Sequence, residues 1–153
     1  MDVGESFPKE AIEKVSEVKE INASNIVKMG KFLGSGTFGQ CYLGMYCGIL
    51  VAIKEFHRTN KGEEENLRKE VKHEATVMSE LGDHHGLPLL FGVDLQNHPY
   101  KIVLQFHGEK DRSLTIHKAA KQKKLTNDEW LDVVDGVGKA LEHVHSKGFC
   151  ITT

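Results

Sequence analysis

Cysteine and proline are scarce in this chain, at three each in 153 residues. Cys41, Cys47 and Cys150 are odd in number and match no zinc spacing. Free thiols in a reducing compartment are the simplest reading, so a cytoplasmic location is expected. Neither sign of charge prevails: the formal net charge of −2 lacks the basic excess of a nucleic-acid or membrane-surface protein, and neither partner is expected. No apolar run reaches the roughly 18 residues that a membrane span needs. The opening Met1-Asp2-Val3-Gly4-Glu5-Ser6 has neither a basic segment nor an apolar core, so no signal peptide is expected. Internal repeats and low-complexity tracts are missing as well. What remains is an ordinary globular composition, 39% hydrophobic and 27% charged. Its length suits one domain that buries about two thirds of its unfolded surface.

Periodicity divides the chain. Residues 8–21 read as a short helix, with Pro8 at its first turn and Ile12, Val15 and Val18 on one side. Asn22-Ala23-Ser24-Asn25 then breaks it. From residue 26 the pattern changes to short strands separated by glycines, at 26–33, 40–46 and 49–56, with Cys47-Gly48 placed as a tight hairpin turn. A helix follows over about 63–81, then strand candidates at 89–95 and 100–106. A weak helix at 113–121 precedes a strong one at 127–146, and Thr126 and Glu129 form a capping box ahead of it. Strands, helix, strands, helices is an α+β order.

Gly34-Ser35-Gly36-Thr37-Phe38-Gly39 stands between the first two strands. Glycines at this spacing bring backbone amides close to a ligand, because no Cβ intervenes. A dinucleotide-binding turn shares the G-x-G-x-x-G string but needs its last glycine to open a helix. Gln40-Cys41-Tyr42-Leu43-Gly44-Met45-Tyr46 carries no helix signal, so the loop joins two strands. A plain glycine hairpin with no ligand fits the same three glycines. Phe38 argues against it: an aromatic at the loop tip has no core to enter, but could close over a bound group.

Val51-Ala52-Ile53-Lys54 follows on the third strand. An ammonium on an apolar strand is costly without an anion. On the 63–81 helix, Leu67, Val71, Met78 and Leu81 share one arc at about 100° per residue, and Glu74 lies inside that arc. A carboxylate on an inward stripe is expensive unless a cation meets it. Lys54 and Glu74 answer each other's difficulty, and together could face phosphates. The competing reading bends Glu74 out to solvent at the stripe's edge.

These residues resemble eukaryotic protein kinases: Gly34 to Gly39 the glycine-rich loop, Val51 to Lys54 the third-strand lysine, Glu74 the helix-C glutamate. The likeness runs from about residue 26 to 149. It takes in Gly86-Leu87-Pro88-Leu89-Leu90, similar to the family's approach to its fourth strand. It also takes in Leu141-Glu142-His143-Val144-His145-Ser146-Lys147-Gly148, similar to the end of its helix E. The resemblance implies ATP as ligand, with Lys54 on the α- and β-phosphates, Glu74 orienting Lys54, and the amides of residues 34–39 over the β- and γ-phosphates. It also implies an adenine pocket walled by Leu33, Ala52 and Cys41, with Leu104 at its back and Gln105-Phe106-His107 as a hinge whose backbone holds adenine. Cys41 departs from the family's usual valine, and an electrophile could address it. The implied architecture is a small lobe with a five-stranded antiparallel sheet and helix C over 26–107, an N-terminal helical extension over 1–25, and helices D and E of a partial large lobe over 108–153.

Past helix E the likeness ends. Gly148-Phe149-Cys150-Ile151-Thr152-Thr153 does not match the approach to the family's catalytic aspartate, and the magnesium-binding D-F-G segment is not among these residues. The resemblance implies Mg-ATP for the parent family, but the magnesium ligands are missing here. The expectation is the ATP-binding portion of a protein kinase, inactive as this chain, whose parent phosphorylates protein hydroxyls. A non-catalytic, pseudokinase-like module with a protein partner through helix C or the helix E face is the alternative, and an incomplete gene product a third. Trp130, Val133, Val134, Val137, Leu141 and Val144 make a broad apolar stripe on the last helix, which either folds back on the small lobe or stays exposed. Nine histidines, Asp83-His84-His85 among them, make no metal-ligand spacing. The basic run Lys118, Lys121, Lys123, Lys124 reads as a solvated face.

Overall fold

A computed structural model describes residues 17–36, 39–57, 60 and 62–151. Its centre is a five-stranded antiparallel sheet: β1 (Ile26–Gly36), β2 (Gly39–Tyr46), β3 (Ile49–Phe56), β4 (Leu90–Asp94) and β5 (Tyr100–Gln105), in the order β1-β2-β3-β5-β4. Cys47 and Gly48 turn β2 into β3 with φ of 47° and 81°. One long helix, α1 (Glu64–Leu81), packs on β4 and β5. Glu64 and Glu65 place negative charge at its positive N-terminus. Two helices follow, α2 (Ile116–Lys121) and α3 (Asn127–Ser146). The capping box of α3 forms as expected: the Glu129 amide donates to Thr126 Oγ1 at 3.3 Å, and the Thr126 amide to Glu129 Oε2 at 2.7 Å. The α+β class and the five strands are those the sequence predicts.

Successive residues of β5 enter different clusters because strand side chains alternate between faces. Ile102 joins Phe56, Val93, Val71, Ala75 and Tyr100 on the α1 side. Its neighbour Val103 joins Val51 and Ile53 on the other side, where Tyr46 and Phe91 also pack. Val51, Ile53, Ile102, Val103, Val71, Ala75 and Val93 have no measurable exposure.

One expectation is corrected. Of the helix expected over 8–21, residues 8–16 lie outside the described residues, and 17–21 run extended rather than helical. Their backbone groups are taken by β4: the Ile21 amide donates to Val93 O at 2.8 Å, and the Val93 amide to Lys19 O at 3.0 Å. Pairing with a strand end removes the donors and acceptors that a helix would need.

The apolar stripe of α3 is divided between the two outcomes expected for it. Val144 is buried, and His143 Nε2 donates to Leu81 O at 2.6 Å, tying α3 to the end of α1. Val134 and Val137 stay exposed, at 66% and 46%. Gly86, Leu87, Val133, Val137, Leu141 and Val144 line an apolar groove of about 370 Å³ between them.

Candidate nucleotide site

Register places the side chains of the site on one sheet face. Cys41 stands opposite Lys54, Leu43 opposite Ala52, Ala52 opposite Leu104, and Lys54 opposite Ile102. Cross-strand partners share a face, so Cys41, Ala52, Lys54 and Leu104 point to the side on which α1 packs. Leu33, Cys41, Ala52 and Leu104 are all half-buried, as the walls of a cleft are.

Lys54 Nζ donates to Glu74 Oε1 at 2.6 Å, with side-chain exposures of 23% and 35%. Val71 and Ala75 are the buried anchors of α1, and Glu74 beside them is turned toward β3 rather than to solvent. The Lys54 ammonium also lies 4.8 Å from the centroid of the Phe56 ring, two residues along the same face. That second contact was not read from the sequence, although the i, i+2 spacing carries it. The ammonium thus has one anionic partner and one aromatic face, with about a quarter of its side chain still open to solvent.

Cys41 sits beside this pair, and burial pushes its thiol above the ordinary value. The Lys54 ammonium opposes that rise, and Glu74 adds to it. A thiol held protonated behaves as a small apolar wall.

Gly34, Ser35 and Gly36 close β1, and Gly39 opens β2, paired as Gly34 with Cys41, Ser35 with Gln40 and Gly36 with Gly39. The turn therefore joins two strands, as expected. Thr37 and Phe38 lie outside the described residues. A Cβ on Gly34 or Gly36 would meet nothing within 4 Å, so the space above them is open. Gly39 differs: a Cβ there would come within 2.3 Å of Glu55 O on β3.

At the other end of the cleft the Gln105 amide donates to Leu89 O at 2.8 Å, anchoring the start of the hinge segment. Phe106 and His107 continue the chain past the end of β5. A cleft of about 1070 Å³ opens beside this segment rather than at Lys54, with Leu33 and His107 in its wall. Across it Lys31 Nζ donates to Asp111 Oδ2 at 2.6 Å, a bridge between β1 and the segment after the hinge that the sequence did not suggest.

Comparison with known proteins follows this geometry. A family model described as protein tyrosine and serine/threonine kinase matches residues 27–151. A probable LIM domain-containing serine/threonine-protein kinase of Dictyostelium discoideum is 31% identical over 139 residues, covering 88% of this chain and 20% of that protein. The tyrosine-protein kinase transforming protein ros of UR2 avian sarcoma virus is 31% identical over 135 residues, covering 80% of this chain and 33% of its own length. Cysteine-rich receptor-like protein kinase 14 of Arabidopsis thaliana is 27% identical over 124 residues, covering 81% of this chain and 18% of its own length. The chain spans between 18% and 33% of the length of these relatives. No helix among the described residues is long and apolar enough to cross a membrane.

Proposed function

The chain belongs to the protein tyrosine and serine/threonine kinase family, and on that premise we propose that residues 26–107 are a nucleotide-binding small lobe whose ligand is ATP. Residues 108–153 are then the first part of the large lobe, carrying its helices D and E. The observation that carries the proposal is the 2.6 Å pair between Lys54 and Glu74, held on the cleft face beside Ala52 and Leu104.

Each group has a part in holding the nucleotide. Glu74 fixes the Lys54 side chain, so the ammonium is offered to the α- and β-phosphates without first losing its rotamer freedom. Leu33, Cys41, Ala52 and Leu104 supply apolar walls for adenine, and backbone groups of Gln105, Phe106 and His107 supply its donors and acceptors. Gly34, Ser35, Gly36 and Gly39 present amides over the outer phosphates. Bound ATP supplies the transferable phosphoryl group. No three His, Cys, Asp or Glu side chains that could hold a metal converge among the described residues, so no step is assigned to magnesium.

Phosphorylation of protein hydroxyls is proposed for the whole protein and not for these residues by themselves. Free thiols at Cys41, Cys47 and Cys150 support a reducing, cytoplasmic setting for the domain.

Titration calorimetry of a polypeptide of these 153 residues tests the site. ATP is expected to bind at about −5 to −6 kcal/mol, tens to hundreds of micromolar. Binding should depend little on added magnesium and fall in Lys54→Met. Incubated with radiolabelled ATP and a generic substrate, the same polypeptide should show no transfer above background. Affinity unchanged in Lys54→Met would remove the basis of the proposal.

A further inference from the structure

The backbone of residues 17–21 runs along the outer edge of β4 and is joined to it by an isolated bridge. Glu20 bridges Val93 in parallel sense, and both hydrogen bonds of Val93 on that edge go to Ile21 and Lys19. Gln96 Nε2 adds a side-chain bond to Glu20 Oε2 at 3.1 Å. An edge strand otherwise presents unpaired amides and carbonyls, so the segment covers a side of the sheet that would stay open.

Gly92 shows how closely the segment is fitted. Its φ is +155°, and a Cβ there would stand 2.5 Å from Ile21 Cγ2 and 2.6 Å from Lys19 O. The segment therefore approaches where only a glycine leaves room, which is a built contact rather than a loose overlay.

Its two apolar side chains go to different faces of the sheet. Ile21, 7% exposed, enters the cluster of Val51, Ile53 and Val103. Val18, 9% exposed, enters the other cluster, with Val93 and Phe56 from the sheet, Leu95 just past β4, and Val71 and Ala75 from α1. Val18 thus belongs to the same cluster as Val71 and Ala75 of the helical turn that bears Glu74. Glu74 lies between Val71 and Ala75, so a shift of that turn moves the carboxylate as well.

We propose that residues 17–21 are a strap that positions α1, with Val18 setting the depth of the Val71–Ala75 turn and thereby the approach of Glu74 to Lys54. Val18 is a positioning residue that acts through Glu74, and it touches no ligand. Among the described elements of the sheet, α1 is packed chiefly on β4 and β5, so Val18 adds a support from outside the sheet. Beside it Glu17, Lys19, Glu20 and Lys72 rim a cavity of about 410 Å³, which leaves space for a larger aliphatic side chain but offers nothing to replace a missing one. The inference rests on the nucleotide site proposed above.

The test combines ATP titration with hydrogen exchange on the 153-residue chain, in two backgrounds. Val18→Ala should weaken ATP binding about fivefold in the native background. In the Glu74→Gln background, where the ion pair is already lost, the same change should have an effect below about 1.5-fold. Val18→Ile should bind ATP as the native chain does. Exchange of α1 amides around residues 71–78 should quicken in Val18→Ala, while β2 and β3 keep their protection. Equal losses in both backgrounds would mean that Val18 contributes general stability only, and the strap would be refuted. So would native affinity in Val18→Ala. If the native chain binds no ATP, the nucleotide site fails, and the strap is judged by exchange: unaltered protection of α1 in Val18→Ala overturns it. Should Val18→Ala not fold, Val18→Thr, nearly the same shape with a hydroxyl added, takes its place under the same outcomes.

Discussion

Lys54 on β3 and Glu74 on α1 meet at 2.6 Å, an ion pair that joins the helix to the sheet. The pair is neither dry nor free, with exposures of 23% and 35%. Its worth therefore lies between the few tenths of a kcal/mol of surface pairs and the several kcal/mol that follow when a fully buried pair is broken.

A denaturant-unfolding cycle measures it. Lys54→Met and Glu74→Leu should each cost roughly 1 to 3 kcal/mol, and the double variant should recover part of the loss, with a coupling of about 1 kcal/mol. Additive variants would show that the two side chains do not depend on each other in solution.

The three glycines of the loop should separate by what they oppose. Gly36→Ala meets open space, so its stability should stay within about 0.5 kcal/mol of native while ATP affinity falls. Gly39→Ala must displace the Glu55 carbonyl, 2.3 Å from the new Cβ, and should cost about 2 kcal/mol or more. Equal stability of the two variants would contradict the β2–β3 pairing at this point.

Cysteine reactivity should follow burial. The thiolate is the reacting form, so a raised pKa leaves less of it at neutral pH and delays Cys41's reaction to more alkaline solution. With iodoacetamide near pH 7.5, exposed Cys47 and Cys150 should be alkylated about tenfold faster than Cys41, read by peptide mass spectrometry. Cys41 reacting first would overturn its placement in the wall of the cleft.

The joint between α3 and the loop after α1 should weaken in acid. His84 stacks between His85 and His143, with ring centroids 4.5 and 4.6 Å apart. Desolvation lowers its pKa below the ordinary 6.5, the two neighbouring imidazoles lower it further, and Asp83 opposes them. The folded state therefore prefers neutral His84, and the unfolded state takes up the proton more readily. The stabilisation is complete above the unfolded value and is lost as pH falls toward the folded one. Denaturant midpoints measured from about pH 7.5 to about pH 5 should drop more in the native chain than in His84→Gln. Parallel profiles would show that His84 does not carry the effect.

Most of the sheet and helices was legible because local signals and tertiary packing agree. Ile49–Phe56 and Asn127–Ser146 fall where β-branched alternation and a capping box put them. Lys54 and Glu74 were legible for a related reason: each is a charge at an apolar position, and periodicity by itself shows that it needs a partner. Residues 17–21 were misread because Val18 continues a helical spacing, whereas its backbone partners belong to a strand far along the chain. Gly92 was the available signal, since a lone glycine inside a strand often marks a close backbone approach.

The sequence by itself determined the class, the order of elements and the charges that must be neutralised, because these follow from periods of two and 3.6 residues and from the cost of an unpaired charge. Only the tertiary structure decided that Val18 shares a cluster with Val71 and Ala75, that Lys31 reaches Asp111, and that His84 stacks on His143. Those relations join segments distant in the chain, and no local period carries them. They arise when the edge of β4 and the end of α1 take the partners whose shape and hydrogen bonds fit.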